Sequence, residues 1–129
     1  HAKDYVRMMW LILQHDTPED WVIATGKTYS IRDFVKMSFN ELGINVEFIG
    51  SGIEEKAIIK SCDNSDFQVE VGKEVLAVDS KYFRPTEVDI LVGDSSKAKR
   101  ILGWEPKYTL KDLVKEMIWH DINLLKNSI

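Results

Sequence analysis

An arginine that precedes a proline, with a glutamate three residues further on, is the feature of this sequence best suited to binding chemistry. In "YFRPTEVD", Arg84 precedes Pro85, and Glu87 follows. Proline holds the preceding residue in extended backbone and fixes the turn, so a guanidinium loses less entropy when it binds phosphoryl oxygens through two parallel hydrogen bonds. The Glu87 carboxylate is suited to accept hydrogen bonds from vicinal hydroxyls. Arg84 and Glu87 together suit the diphosphate and the ribose of a nucleotide sugar.

A surface ion pair explains the same spacing equally well. Asp89 follows closely in the sequence, and an exposed pair between Arg84 and such a carboxylate contributes little to stability. The spacing alone does not separate a ligand contact from this pair, so both interpretations stay open at this point.

The other arrangements that carry chemistry are weak in this sequence. A dinucleotide-binding loop places three glycines between a strand and a helix. Gly50 and Gly52 supply only two, and the adjacent Glu54 and Glu55 repel phosphate. No tyrosine is followed four residues later by a lysine, so the pair that acts as base in short-chain dehydrogenases is missing from the sequence.

The histidines do not form a metal-binding or catalytic pattern. His1, His15 and His120 are not at ligand spacing from one another or from Cys62, and His120 and Asp121 are adjacent on a predicted helix and face different directions. We expect solvated or helix-capping histidines. The sequence therefore predicts no catalytic residue and no metal site.

Composition limits the class of protein. The 129 residues are 44% hydrophobic, which suits one compact domain, and the net charge of -4 is spread without a basic stripe. Nucleic-acid binding is therefore not expected, and no apolar run of about 18 residues is present to cross a membrane. The single cysteine, Cys62, favours a reducing, cytoplasmic compartment. Because His1 leads directly into an apolar helical pattern, we expect the chain to be part of a longer protein.

The elements that must position these residues follow from periodicity and capping signals. Ser30 with Asp33, and Thr109 with Asp112, have the spacing of capping boxes at the start of helices. A short helical turn is predicted at Thr17. The predicted helices lie near 4–15, 31–42, 95–102 and 110–126, and the predicted strands near 21–25, 45–49, 56–61 and 74–78. Residues 62–73 are polar and rich in turn formers, which indicates a long loop or an irregular hairpin.

The first and last helices have the clearest apolar faces. Val6, Met9, Trp10 and Leu13 repeat at helical spacing, which predicts a mostly buried helix. The face predicted for the last helix comprises Leu110, Leu113, Val114, Met117, Ile118, Ile122 and Leu125. Tryptophans in such apolar patterns are expected in the core or at interfaces.

Four stretches carry a resemblance to a known family. "HAKDYVRMMW", "PEDWVIATGKTYSIRDFV", "KYFRPTEVDILVGDSSKAKRILGWEPK" and the last helix resemble the carboxyl-terminal part of the GDP-mannose 4,6-dehydratases, which are extended short-chain dehydrogenases/reductases. The resemblance implies an α/β fold in which residues 1–129 form a substrate-binding lobe of mixed helices and short strands without the complete Rossmann domain. In that family, a preceding Rossmann domain carries NADP and a Thr/Ser, Glu, Tyr and Lys catalytic set.

The resemblance also assigns residues. It implies that Arg84 contacts the diphosphate and Glu87 the nucleoside of GDP-mannose. Arg32 and Lys3 match without an assigned role, and we interpret Asp4 as a structural contact. The segment 62–73 follows no family pattern.

The family reaction converts GDP-mannose to GDP-4-keto-6-deoxymannose, on the route to GDP-fucose, through an internal redox cycle of NADP. This chain lacks the groups that perform the cycle, so the isolated 129 residues are expected to be inactive. The alternatives are the corresponding lobe of another nucleotide-sugar epimerase or reductase, or a non-catalytic binding module. We expect a homo-oligomer for the intact enzyme.

Family architecture places the first helix and the first strand against the Rossmann domain. The apolar surface of these elements is therefore expected to be uncovered in this chain, which predicts association between copies.

Overall fold

The computed structural model describes residues 1–84, 86 and 90–127 and has mixed α/β architecture. The chain divides into two compact units, His1–Tyr29 with Val88–Leu113 and Ser30–Glu87 with Val114–Ile129. The helices are α1 (Ala2–Leu13), α2 (Ile31–Glu41), α3 (Ser96–Leu102) and α4 (Leu110–Lys126), and the strands are β1 (Ile44–Ile49), β2 (Lys56–Cys62) and β3 (Glu74–Ala77). The predicted positions of these four helices and three strands are confirmed to within two residues at each end.

The second unit is built on a small antiparallel sheet in the order β1-β2-β3. Alternation buries Ile44 and Val46 of β1, and Ile59 of β2 joins them in one cluster. Val35, Phe39 and Leu42, from α2 and its carboxyl end, pack against this cluster. Hydrophobic alternation thus fixes which face of the sheet α2 covers.

Capping chemistry sets the start and end of α2. The Ser30 hydroxyl accepts a hydrogen bond from the Asp33 N–H, and the Asp33 carboxylate accepts one from the Ser30 N–H, which confirms the predicted capping box. At the other end, Gly43 has a φ of 73°, the left-handed conformation that favours glycine after a helix. Ile31, the first residue of α2, is exposed, whereas Phe39 packs inward against the core cluster.

The segment 62–73 folds back on the sheet. The Gly72 N–H donates to the Ile59 carbonyl, and the Ile59 N–H donates to the Lys73 carbonyl, so this segment extends the pairing of β2. Phe67 and Val69 pack against the core cluster. An irregular hairpin therefore describes the segment better than a loop does.

The first unit is organised around Trp104. Met8 and Ala98, from α1 and α3, form a buried cluster with the Trp104 ring, which is 2% exposed. Trp21 and Ile23 pack against this cluster from the segment that follows α1.

The predicted strand at 21–25 is wrong, as is the helical turn at Thr17, because both segments lie in irregular structure. A strand requires a paired neighbour as well as an apolar run. Here the apolar side chains of 21–25 are used for packing: Ile23 contacts the Trp104 cluster, and Ala24 and Val22 closely approach Gly93, where a Cβ atom would lie 2.6 Å from the Ala24 Cβ.

The prediction of a mostly buried α1 is also wrong, because the helix buries a different side. Asp4 and Met8 are buried, and Leu11 and Ile12 pack beside them. The predicted apolar stripe is instead exposed: Val6 64%, Met9 57%, Trp10 60% and Leu13 80%. These four side chains form an exposed apolar face of α1.

The start of α4 confirms its predicted capping box. The Thr109 N–H donates to the Asp112 carboxylate at 2.8 Å, and the Asp112 N–H donates to the Thr109 hydroxyl at 3.2 Å. The predicted face is buried or half-buried at most positions, but Met117 and Leu125 are exposed.

The tryptophans divide into core and surface. The core prediction holds for Trp104 and for Trp21, which packs at the edge of the cluster, but Trp10 and Trp119 are exposed. Trp119 uses its polar edge, because its Nε1–H donates to the Glu41 carboxylate at 2.9 Å.

Within the described part of the chain, no helix has the length and apolar character needed to span a membrane.

Candidate functional site

Arg84 lies in exposed, irregular backbone after β3. The turn that precedes it is well fixed by Asp79, whose carbonyl oxygen accepts hydrogen bonds from the Tyr82 N–H at 3.0 Å and the Phe83 N–H at 3.1 Å. The Asp79 carboxylate accepts a further bond from the Lys81 N–H at 2.9 Å. The residue immediately before Arg84 is therefore held by the backbone.

Asp79 was not among the residues predicted for the site. The turn could have been predicted from neighbouring residues alone. An aspartate followed by a serine at the end of an apolar strand is typical of a turn in which the carboxylate accepts a hydrogen bond from a backbone N–H. We refer below to residues 79–84 as the Asp79 turn.

The start of this turn is fixed to the loop between β1 and β2. The Val78 N–H donates to the Glu55 carbonyl oxygen at 3.1 Å. The Glu55 carboxylate in turn accepts two hydrogen bonds from Arg32, one from Nε at 2.5 Å and one from Nη2 at 2.8 Å. Glu55 therefore connects the first turn of α2 to the residue after β3.

The charges of this pair stabilise each other. The hydrogen bond from Arg32 is the main cause that lowers the pKa of the Glu55 carboxyl, and Glu55 raises the pKa of the Arg32 guanidinium. From the sequence, Glu55 was interpreted as a charge that repels phosphate, and Arg32 had no assigned role. The structure assigns both to one bidentate pair, separated by 23 positions in the chain.

Glu87, the second predicted binding residue, lies outside the described residues, as do Pro85 and Asp89. Of the two predicted binding residues, the structure therefore describes only Arg84. The predicted role of Glu87 and the alternative ion pair between Arg84 and Asp89 stay predictions.

The glycines considered for cofactor binding lie in a turn between antiparallel strands. Gly50 and Gly52 have φ values of 79° and 59° and join β1 to β2 through a short 3-10 helix, Gly52–Glu54. A dinucleotide loop instead joins a strand to the amino end of a longer helix. The geometry of this turn does not fit the pyrophosphate of NADP.

His1 and His15 have structural contacts. His1 caps α1, because its Nδ1 accepts a hydrogen bond from the Lys3 N–H at 3.1 Å, and His15 Nδ1 lies 2.7 Å from the Thr17 carbonyl oxygen. Across residues 1–84, 86 and 90–127, His, Cys, Asp and Glu side chains form no group of three that could hold a metal ion.

Asp4 has the structural role that sequence analysis gave it. Its side chain is buried, and its two carboxylate oxygens accept hydrogen bonds from the Lys107 and Tyr108 N–H groups, each at 3.1 Å. Its carbonyl oxygen accepts a further bond from Trp104 Nε1 at 3.1 Å. Asp4 thus joins α1 to the segment between α3 and α4.

Comparison with known proteins identifies the family. The family model described as GDP-mannose 4,6 dehydratase matches residues 1–117. The chain belongs to the GDP-mannose 4,6-dehydratase family. Arg84, Glu87 and the segment 62–73 lie within the matched range.

Individual members of the GDP-mannose 4,6-dehydratase family are similar over nearly the whole chain. The GDP-mannose 4,6-dehydratase of Vibrio cholerae serotype O1 is 52% identical over 123 residues, which is 95% of this chain and 33% of that protein. The Yersinia enterocolitica protein is 50% identical, covering 98% of this chain and 34% of its own length, and the human protein is 45% identical, covering 99% and 32%. The chain spans about a third of the length of these relatives.

Proposed function

We propose that this chain is the nucleotide-sugar-binding part of a GDP-mannose 4,6-dehydratase, the lyase that converts GDP-mannose to GDP-4-keto-6-deoxymannose. The observation that carries the proposal is membership of the family, since the family model spans residues 1–117. In this proposal, residues 1–129 act as the substrate-binding lobe of a longer short-chain dehydrogenase/reductase. We call that longer chain the intact protein.

Arg84 is the proposed contact to the diphosphate. The side chain is exposed, and the Asp79 turn holds the backbone that leads to it. A guanidinium presents parallel N–H donors that match two phosphoryl oxygens, and a fixed backbone reduces the entropy lost on binding. Glu87 is proposed to contact the nucleoside.

NADP is the proposed cofactor of the intact protein, where it supplies hydride transfer. The turn at Gly50 and Gly52 does not suit its pyrophosphate, so we assign NADP binding to residues outside this chain. The contribution of residues 1–129 is to bind and orient the sugar nucleotide. We further propose a cytoplasmic homo-oligomer, a compartment that suits the unpaired thiol of Cys62.

Isothermal titration calorimetry of the intact protein tests the substrate assignment. We expect GDP-mannose to bind at least tenfold more tightly than UDP- or dTDP-sugars, a discrimination of about 1.4 kcal/mol. Preference for a UDP- or dTDP-sugar would instead indicate another nucleotide-sugar epimerase or reductase.

The catalytic assignment has a separate test in the gene that encodes the chain. A glycine-rich strand-turn-helix and a Tyr-x-x-x-Lys pair encoded before His1 are expected for the enzyme, and their absence from the whole gene would favour a non-catalytic binding module. The isolated 129 residues are expected to form no GDP-4-keto-6-deoxymannose, and turnover by them would contradict our assignment of the catalytic groups to another part of the protein.

A further inference from the structure

The positive charge of Arg32 is unfavourable at its position in α2 unless a nearby carboxylate offsets it. It lies in the first turn of the helix, where the partial positive charge of the helix terminus disfavours a cation. The Ser30–Asp33 capping box fixes this turn, so the base of the Arg32 side chain is held in place. The Glu55 carboxylate offsets the unfavourable charge and fixes the guanidinium through two hydrogen bonds.

The Arg32–Glu55 pair differs from the ion pairs within the neighbouring sheet. The Glu55 side chain is 15% exposed, whereas the Glu74 and Glu47 side chains, which pair with Lys56 and Lys60, are about half exposed. Those pairs have single N···O contacts of 3.2 and 3.4 Å, and exposed contacts of that kind have little influence on geometry. A bidentate pair with a largely covered carboxylate holds both partners in one orientation.

Because Arg32 fixes the orientation of Glu55, it also restricts the start of the Asp79 turn, which is hydrogen-bonded to Glu55. Its backbone carbonyl accepts the Val78 N–H, and the Asp79 carbonyl then accepts the Tyr82 and Phe83 N–H groups. These hydrogen bonds leave little freedom between Val78 and Phe83. A shift of Glu55 therefore shifts the start of the turn and, with it, the place from which the Arg84 guanidinium reaches its ligand.

We propose that Arg32, acting through Glu55, is a positioning residue for the Arg84 contact to the diphosphate of the sugar nucleotide. The inference rests on the proposed function and adds two residues to its site. Neither residue is assigned a contact with the ligand.

A double-mutant cycle in the intact protein tests the proposal, with GDP-mannose affinity measured by calorimetry. Arg32→Met is expected to weaken binding about three- to tenfold, in the lower part of the range for residues coupled through a backbone shift. In an Arg84→Ala background, Arg32→Met is expected to cause no further loss, because the contact that it positions is already gone. Glu55→Gln is expected to reproduce the pattern.

Two further variants separate positioning from general destabilisation. Arg32→Lys keeps the charge without the bidentate geometry, so an intermediate affinity is expected, and this variant replaces Arg32→Met if the latter fails to fold. Lys60→Met removes the exposed Lys60–Glu47 pair of the same unit and is the matched control, with affinity within about twofold of the unsubstituted protein.

The outcomes distinguish this inference from the proposed function. If Arg84→Ala weakens binding but Arg32→Met does not, or if the two losses multiply in the double variant, the positioning role is wrong and the diphosphate contact stands. If Arg84→Ala leaves the affinity unchanged, the diphosphate contact is wrong and the positioning role is overturned with it.

Discussion

At the scale of single residues, the most consequential side chains of the described structure are those that hold two distant parts of the chain together. Asp4 and Glu55 each accept hydrogen bonds from backbone or side-chain donors far away in sequence, Asp4 from Lys107 at a separation of 103 residues. Loss of such an acceptor leaves donors without partners in partly buried surroundings, which costs more than the bond itself contributes.

Substitution of Asp4 is expected to destabilise the first unit strongly. Asp4→Ala removes the acceptor for the Lys107 and Tyr108 N–H groups, and we expect a loss of about 2–4 kcal/mol in the free energy of unfolding. Urea unfolding followed by tryptophan fluorescence, in a Trp10→Phe/Trp119→Phe background so that the signal comes from the first unit, is the measurement. Asp16→Ala, at an exposed position in the same unit, is the control and is expected to change stability by about 0.5 kcal/mol or less. Equal effects of the two substitutions would contradict the role of Asp4.

Two glycines with positive φ offer a matched comparison in the second unit. A Cβ atom at Gly50 would lie 2.3 Å from the Glu54 carbonyl oxygen, whereas one at Gly72 would meet nothing within 4 Å. Gly72→Ala is expected to cost about 1 kcal/mol for backbone strain alone, and Gly50→Ala about 3 kcal/mol or more because the β1–β2 turn must also move. The difference between the urea denaturation midpoints of the two variants tests this. Similar midpoints would show that the β1–β2 turn rearranges at little cost in free energy.

At the scale of elements, helix termini and strand alternation could be predicted from sequence because their signals are local. The capping boxes of α2 and α4 lie within four residues, and the alternation of β1 reads directly as a buried and an exposed face. The strand predicted at 21–25 failed because pairing depends on a neighbour that an apolar run does not specify. The Arg32–Glu55 pair could not be predicted for the same reason, since its partners are 23 positions apart and meet only when α2 and the β1–β2 turn have folded.

Acid is expected to weaken the structure through carboxylates whose pKa lies below the ordinary value. The Arg32 hydrogen bond lowers the pKa of Glu55 from 4.5, and the Ser30 contacts lower that of Asp33 from 3.8. A group with a lower pKa in the folded state contributes stability above its unfolded pKa and loses that contribution as pH falls through the folded value. Stability should therefore be level near neutrality and fall below about pH 4.5.

Thermal unfolding measured from pH 7 to pH 3 checks this expectation. Glu55→Gln and Arg32→Met should each make the acid-side decline shallower, because each removes the cause of the lower Glu55 pKa. Other carboxylates with lowered pKa values, such as Glu19 and Glu105, keep part of the decline in place. Profiles as steep as that of the unsubstituted chain would argue against a contribution from the Arg32–Glu55 pair.

At the scale of the whole molecule, the exposed apolar face of α1 predicts association of the isolated chain. Met9, Trp10 and Leu13 are each more than half exposed, and large apolar surfaces of this kind drive copies together at high concentration. A Met9→Lys/Leu13→Lys variant is expected to stay monomeric where the unsubstituted chain forms larger species in light scattering. Gln14→Lys adds charge at a neighbouring polar position and should not prevent association. A monomeric unsubstituted chain that binds little hydrophobic dye would contradict this prediction.

For the candidate site as a whole, some residues could be predicted from the sequence and others became evident only in the structure. Arg84 was predicted from its place beside a proline, and the resemblance supplied the ligand that we propose for it. The attachment of the Asp79 turn to Glu55 emerged only in the fold, because antiparallel pairing of β3 with β2 brings Val78, which follows β3, next to Glu55, which precedes β2.

Calorimetric titration of the intact protein with GDP-mannose, before and after Arg84→Ala, tests the central claim most directly. Loss of a charge-assisted, two-bond contact to phosphate is expected to weaken affinity by about 10- to 100-fold, whereas Lys81→Ala, which removes an exposed cation from the same turn, should have little effect. Undiminished affinity in the Arg84→Ala protein would contradict the account.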